Sequence, residues 1–389
     1  MNKQPNILLV MADQLAAQAL SLYGNMVCKT PNLERLAAEG AVFTNNYSNN
    51  PLCVPSRASM LTGRLSPDID VYDNANEIAS STPTMAHFMR AKGYQTFLCG
   101  KMHFIGPDQL HGFEDRLTTD VYPADFQWIA DWSAGPAFVP SGTALNGVVE
   151  AGPCIRTMQE DYDDDVAYQA YRKIYDFARS DDEKPFFGVV SFTSPHTPFN
   201  VSQRYWDLYD HNDIDLPTVP EIPFADLDYL SKSLFFAHGR HRHSISTDNL
   251  LMAKHAYYAM ISYLDEKLGQ ILDQLDETGL RDNTVVVFTS DHGEMMGERG
   301  MWFKQCFWEW SARVPLIISD RRTTPNIRIQ SNCSLVDLLP TFIGLAGKDA
   351  GPLAPAISEL AGHSLVPLLS GKTLKWGDCV ISDYLAIGP

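Results

Sequence analysis

Three apolar runs that stop abruptly on polar residues constrain this chain more than any other feature. Asn6-Ile7-Leu8-Leu9-Val10-Met11 runs into Ala12-Asp13-Gln14. Phe186–Phe192 runs into Thr193-Ser194-Pro195-His196, and Thr284–Phe288 into Thr289-Ser290-Asp291-His292-Gly293-Glu294. A strand with no polar face belongs in the middle of a parallel sheet covered on both sides. In such sheets ligands sit beyond the carboxyl ends of the strands, where these polar residues lie. Tyr94–Cys99, closed by Gly100-Lys101-Met102-His103, and Val314–Ser319 read as further strands, and Cys379–Ser382 as one more. Helical patterns separate them: Pro31 to Gly40, Ser81-Thr82-Pro83 to about Gly93, Asp161–Arg179, Leu250–Thr278, and Leu335–Ala346 after a Ser334 cap. Strand, polar end and helix in repetition predict an α/β layered fold with a mostly parallel central sheet.

The 389 residues, 45% of them hydrophobic, suffice for one large core. We expect a single catalytic domain over 1–376, with an irregular Trp-, Pro-, Gly- and Asp-rich insert at about 106–160. A loop-rich excursion is expected at about 200–247, and the last segment is 377–389. A net charge of −17 disfavours nucleic acid as a partner. The start, Met1-Asn2-Lys3-Gln4-Pro5, leads straight into a strand without a signal-like segment, and no apolar run reaches spanning length. The expectation is a cytoplasmic protein with no membrane partner. Seven scattered cysteines without CxxC pairs argue against a disulfide framework and a zinc site. His238, His241 and His243 cluster in the excursion, but no acidic ligand lies close in sequence, so a surface loop is expected.

Cys53-Val54-Pro55-Ser56-Arg57 opens another helix, which Gly63 stops. The free N–H groups of a helix start favour an anion beside Cys53, and Arg57, one turn on, is expected to face back toward it. Three residues separate the cysteine from the arginine, too few for the phosphate loop of protein-tyrosine-phosphatase-like enzymes. The continuation Ala58-Ser59-Met60-Leu61-Thr62-Gly63-Arg64 completes C-x-P-S-R-x-x-x-L-T-G-R. This resembles the signature of the type I sulfatases of the alkaline phosphatase superfamily. The resemblance implies an alkaline-phosphatase/sulfatase-like fold, conversion of Cys53 to formylglycine by a formylglycine-generating enzyme, and one divalent metal.

By the same resemblance the metal shell comprises Asp13, Gln14, Asp291, His292 and modified Cys53. Oxygen ligands suit Ca²⁺ or Mg²⁺, and the imidazole tilts the choice toward Mn²⁺. Catalytic roles fall to Cys53, Arg57, Lys101, His103, His196 and Lys304. The hydrated aldehyde offers one hydroxyl to attack sulfur and a second to expel sulfate. Lys101, Lys304 and the helix start would stabilise sulfuryl oxygens. His196, then Lys304, would protonate the leaving alcohol, and His103 would deprotonate the second hydroxyl.

Lys101–Trp128 resembles the corresponding stretch of choline sulfatases, which implies a small sulfate ester, choline O-sulfate, as substrate. Tyr122, Phe126, Trp128 and Trp132 interleave there with Asp120, Asp125 and Asp131. Aromatic faces beside carboxylates suit a quaternary ammonium group, with Tyr122, Asp125, Phe126, Trp128 and Trp132 as substrate contacts. Packing of an irregular loop is the other reading of these aromatics. Phosphonate monoesters, phosphodiesters or aryl sulfates are alternative substrates, and a non-catalytic binding remnant is a third reading. Choline sulfatases continue past this chain's end into a C-terminal subdomain that supports oligomers. By that comparison 377–389 reads as the start of a truncated segment, and a homo-oligomer is expected if it were complete.

Overall fold

The computed structural model describes residues 4–125, 144–347, 351–370 and 376–384. Among the described residues eight strands form one sheet: β1 (Asn6–Ala12), β2 (Ala41–Phe43), β3 (Gln95–Gly100), β4 (Asp115–Arg116), β5 (Phe186–Ser191), β6 (Thr284–Ser290), β7 (Leu316–Ser319) and β8 (Ile327–Ile329). Their order is β8-β2-β7-β6-β1-β5-β3-β4. The three fully apolar runs lie side by side at the centre, with β1 paired in parallel to both β5 and β6. β7 runs antiparallel to both of its neighbours, and the other pairings of the sheet are parallel.

Side chains alternate across β1, and the two cores follow that alternation. Leu8, Val10 and Ala12 pack with α1 (Pro31–Ala38), α4 (Met158–Arg179) and α5 (Thr247–Glu277). Ile7, Leu9 and Met11 pack on the opposite face with α2 (Cys53–Thr62), α3 (Met85–Ala91) and α6 (Leu338–Leu345). Helices therefore cover both faces, as the apolar strands require. α4 and α5 start at capping boxes, Thr157 with Glu160 and Ser246 with Asn249.

Two expectations are corrected. Cys379–Ser382 forms no strand; it is an irregular run pinned to the loop before Cys53. Asn49 Nδ2 donates to Ile381 O at 2.8 Å, and Asn50 Nδ2 to Asp383 Oδ1 at 2.9 Å. The Asn49 side-chain amide thus takes a carbonyl that a ladder would have used. His238 is not on a surface loop either. It is buried, its ring stands edge-on to Phe303, and it pairs through Nε2 with Gln305 Oε1 at 2.8 Å. Burial pushes its imidazole down to about 4, so it is neutral and props the turn around Lys304. His241 is exposed, as expected. Among the described residues no helix is long and apolar enough to cross a membrane.

Candidate active site

The polar ends of β1, β3, β5 and β6 converge on the start of α2. Cys53 is the first residue of that helix, after an extended Leu52. The helix ends at Gly63, whose φ of 66° is left-handed. All ten residues of α2 are buried, so the chain holds the cysteine from every side. Its Sγ lies 3.2 Å from His292 Nε2 and 3.2 Å from Lys304 Nζ. Burial alone would raise this thiol. The charges of Lys101 and Lys304 outweigh burial and hold it well below its ordinary value.

Ligand-type atoms of Asp13, Cys53, Asp291 and His292 all lie within 4.8 Å of one another. Three features fit a cation there. Asp13 Oδ1 is buried without a hydrogen-bond partner. His292 Nδ1 must donate to Gly293 O, 3.0 Å away, because a carbonyl only accepts. Its Nε2 lone pair then faces Cys53, Asp13 Oδ1 at 3.9 Å and Asp291 Oδ2 at 3.7 Å. The donors are two carboxylates, an imidazole and the residue-53 side chain, a set that divalent first-row metals accept. Gln14 joins this group: its Oε1 accepts from Lys304 Nζ at 2.6 Å, and its backbone N–H donates to Asp291 Oδ1 at 3.1 Å.

Buried cations neutralise the carboxylates. Burial alone would raise the Asp13 carboxyl, but the charges of Lys101 and Arg57 hold it far below the usual range. Lys101 Nζ is hydrogen-bonded to Asp13 Oδ2. Gly100, at φ 98°, makes the turn that delivers Lys101; a Cβ there would collide with Ser191 O. Arg57 spends its hydrogen bonds on the strand ends, and its Nη2, buried without a hydrogen-bond partner, lies 3.8 Å from Asp13 Oδ2. Its Nε donates to Asp291 Oδ2 at 2.8 Å, and its Nη1 to Lys101 O at 2.7 Å and Ser191 Oγ at 2.9 Å. The guanidinium thus ties three strand ends together beneath the cysteine.

His196 hangs from the loop after β5. Its Nδ1 donates to Thr197 O at 2.6 Å, which leaves Nε2 to accept from Lys304 Nζ at 3.1 Å. Burial and the Lys304 charge keep its imidazole below the ordinary value. His103 is buried at a φ of 61°, and its ring lies 4.8 Å from that of Tyr122. Burial also lowers His103, while contact with Cys53 works the other way. Tyr122 lies over Lys101, whose Nζ is 4.3 Å from the ring centroid, and its hydroxyl reaches His196 Nδ1 at 3.4 Å. Asp125 is exposed. Phe126, Trp128 and Trp132 lie outside the described residues.

Asp120 stands in the sequence only among the carboxylates beside aromatics, and two further supporting residues, Tyr257 and Asp163, were not singled out there. Asp120 accepts from the backbone N–H groups of Met102 and His103 at 2.9 and 2.7 Å and fixes the turn after β3. Tyr257 on α5 brackets Gln14: its hydroxyl donates to Gln14 O at 2.7 Å and accepts from Ala16 N at 3.0 Å. Asp163 on α4 anchors the His196 loop, accepting from Thr193 N, Thr193 Oγ1 and Ser194 N at 2.7, 2.9 and 2.9 Å. Only the acidic stretch Asp161–Asp165 hinted at it, and helix polarity is ordinarily a solvated face.

Burial pushes the Asp163 carboxyl up to about 6, against its three donors. Its folded value lies above its unfolded one. The associated stability is therefore full in acid below about 4 and is lost as pH rises through about 6. At neutral pH the ionised form holds the loop. Activity is expected to fall as pH drops through about 6, when Asp163 takes a proton and one donor loses its acceptor. Asp163→Asn should remove that acid limb and lower kcat at neutral pH by roughly ten- to a hundred-fold through misplacement of His196. A pH–rate profile of both proteins checks this.

The Sulfatase family model matches residues 5–348. The choline-sulfatase of Rhizobium meliloti (strain 1021) is 43% identical over 387 residues, which are 98% of this chain and 74% of that protein. The arylsulfatase of Clostridium perfringens (strain 13 / Type A) is 28% identical over 98% of this chain and 82% of its own length. Among solved structures, the phosphonate monoester hydrolase from Silicibacter pomeroyi superposes with a TM-score of 0.76 at 24% identity. That match covers 96% of this chain and 78% of the other. With the match spanning the strand ends and the Cys53 helix alike, the chain belongs to the sulfatase family and is a sulfuric ester hydrolase.

Proposed function

We propose that the protein hydrolyses choline O-sulfate to choline and sulfate, with Cys53 acting in its formylglycine form beside one divalent metal. The observation that carries the chemistry is the position of Cys53. Its Sγ, the atom that stands where the aldehyde oxygen would be, lies 3.2 Å from both Lys304 and His292 at the start of α2. Formylglycine supplies, when hydrated, two geminal hydroxyls, one to accept the sulfuryl group and one to release it. A divalent metal supplies Lewis-acid polarisation of oxygens at that point. Asp13, Gln14, Asp291, His292 and residue 53 would hold it, with Mn²⁺ the best match to a shell that includes an imidazole.

The remaining steps belong to the chain's own groups. Lys101 and Lys304 stabilise charge on the sulfuryl oxygens. The expected helix-start donors are largely spent, since Val54 N–H donates to Asn74 Oδ1, Pro55 has none and Ser56 N–H donates to Leu52 O. In the His196–Lys304 pair the His196 Nε2 accepts, since burial and the Lys304 charge keep its imidazole below the ordinary value. We therefore assign Lys304 as the donor to the leaving alcohol and His196 as the group that orients it. His103 takes the proton whose removal releases sulfate. Arg57 holds Asp291, Lys101 O and Ser191 in place.

Choline as the leaving group is supported by 43% identity to a choline-sulfatase over nearly the whole chain. The fold likeness to a phosphonate monoester hydrolase favours a second reading, hydrolysis of phosphonate monoesters at the same site. A substrate panel separates them. The expected result is a kcat/KM for choline O-sulfate at least a hundred-fold (~10²) above those for a phenyl phosphonate monoester and for an aryl sulfate, since loss of specific contacts in a built pocket costs that order. A preference for the phosphonate would replace the first reading with the second.

A further inference from the structure

Gln14 is held between two buried groups of opposite charge. Its Nε2 donates to Glu294 Oε2 at 2.5 Å, and its Oε1 accepts from Lys304 Nζ at 2.6 Å. All three side chains are almost wholly buried. The backbone is fixed as well: φ is 66°, the N–H donates to Asp291 Oδ1, and the carbonyl accepts from Tyr257. A primary amide has one donor end and one acceptor end. A carboxylate accepts and an ammonium donates, so only one of the two amide orientations satisfies both neighbours.

We propose that Glu294 is a positioning residue that sets the Gln14 amide so that its oxygen, not its NH₂, faces the metal shell. This rests on the metal reading above, in which the amide oxygen is a ligand and the nitrogen is not. The oxygen carries two lone pairs, so one stays available when Lys304 takes the other. Glu294 is itself set by the backbone. Its Oε1 accepts from Met296 N at 3.1 Å and Phe303 N at 2.6 Å, which leaves Oε2 for Gln14. It also puts a negative charge directly behind a neutral ligand. Gly293 and Glu294 continue the strand end that carries Asp291 and His292, so one segment supplies two ligands and the group that orients a third.

Glu294→Gln isolates the orienting role. The new amide keeps its oxygen on the two backbone N–H groups and therefore turns NH₂ toward Gln14. Two donors then face each other, Gln14 flips, and its own NH₂ points at Lys304 and the metal. Adding Gln14→Glu restores an acceptor against that NH₂ and an oxygen toward the metal. Mn²⁺ is titrated into the metal-free proteins by calorimetry, all produced alike, with residue 53 checked by peptide mass and folding by circular dichroism. Glu294→Gln should weaken Mn²⁺ binding by about 10- to 100-fold, the usual loss for an outer partner of a ligand. The double variant should recover to within about three-fold of the parent, because its pairing is whole again.

Parent-like binding by Glu294→Gln overturns the proposal, as does equally weak binding by both folded variants. If Glu294→Gln unfolds and the double variant folds and binds Mn²⁺, the pairing with Gln14 is upheld. If both unfold, Glu294 serves the Met296–Phe303 turn instead, and the proposal falls. A parent that binds no Mn²⁺ overturns the metal reading and this inference with it, an outcome distinct from parent-like binding by Glu294→Gln.

Discussion

Cys53→Ser is expected to stop after a single event and keep the sulfuryl group. A serine hydroxyl beside Lys101 and Lys304 can accept sulfur from the ester, and the alcohol can leave. It has no second geminal hydroxyl to push the sulfate off. In the proposed chemistry that second hydroxyl is the route of release, so steady turnover should drop by at least about 10³-fold, the scale on which loss of a covalent partner is felt. Intact-protein mass spectrometry after incubation with choline O-sulfate should show one added sulfuryl group. Steady sulfate release by the variant would mean that release does not need the aldehyde.

Arg57→Met should produce the largest loss of stability. The guanidinium is 1% exposed, and its Nε–Asp291 contact is 2.8 Å. Its removal leaves Asp291 short of a partner in a buried site and frees Lys101 O and Ser191 Oγ. Breaking one side of such a pair costs about 3–5 kcal/mol. Urea titration of the metal-free protein should show a loss of that order. Mn²⁺ should recover part of it, because a cation at Asp13 and Asp291 supplies charge that Arg57 no longer does. An unchanged midpoint would show that Arg57 does not organise these strand ends.

The central architecture was legible because it follows from local composition. Ile7–Met11, Phe186–Phe192 and Thr284–Phe288 have no polar face, and only the middle of a covered parallel sheet satisfies such strands. They are β1, β5 and β6, adjacent in the sheet. Their polar ends had to meet, and Asp13, Asp291, His292, His196 and Lys101 do meet around Cys53. What was not legible depends on which buried partner each group finds. Helical spacing put Arg57 near Cys53, but it could not show that the carboxylate of Asp291 and the carbonyl of Lys101 take its Nε and Nη1 donors. Nothing local distinguishes His238, buried against Phe303, from exposed His241. The run Cys379–Ser382 is irregular, with its Ile381 carbonyl taken by the side-chain amide of Asn49 and neighbouring Asp383 held by Asn50. Asp163 reads as one acid among several on α4, yet it is the one whose face meets Thr193 and Ser194.

The measurement that bears most directly on the reading is sulfate release from choline O-sulfate. The protein is co-produced with a formylglycine-generating enzyme and supplied with Mn²⁺, and conversion of Cys53 is read from the mass of its peptide. Turnover that scales with the converted fraction and vanishes in Cys53→Ala is the expected result. Undiminished turnover by Cys53→Ala, or none by a preparation in which Cys53 is fully converted and Mn²⁺ is bound, would contradict it.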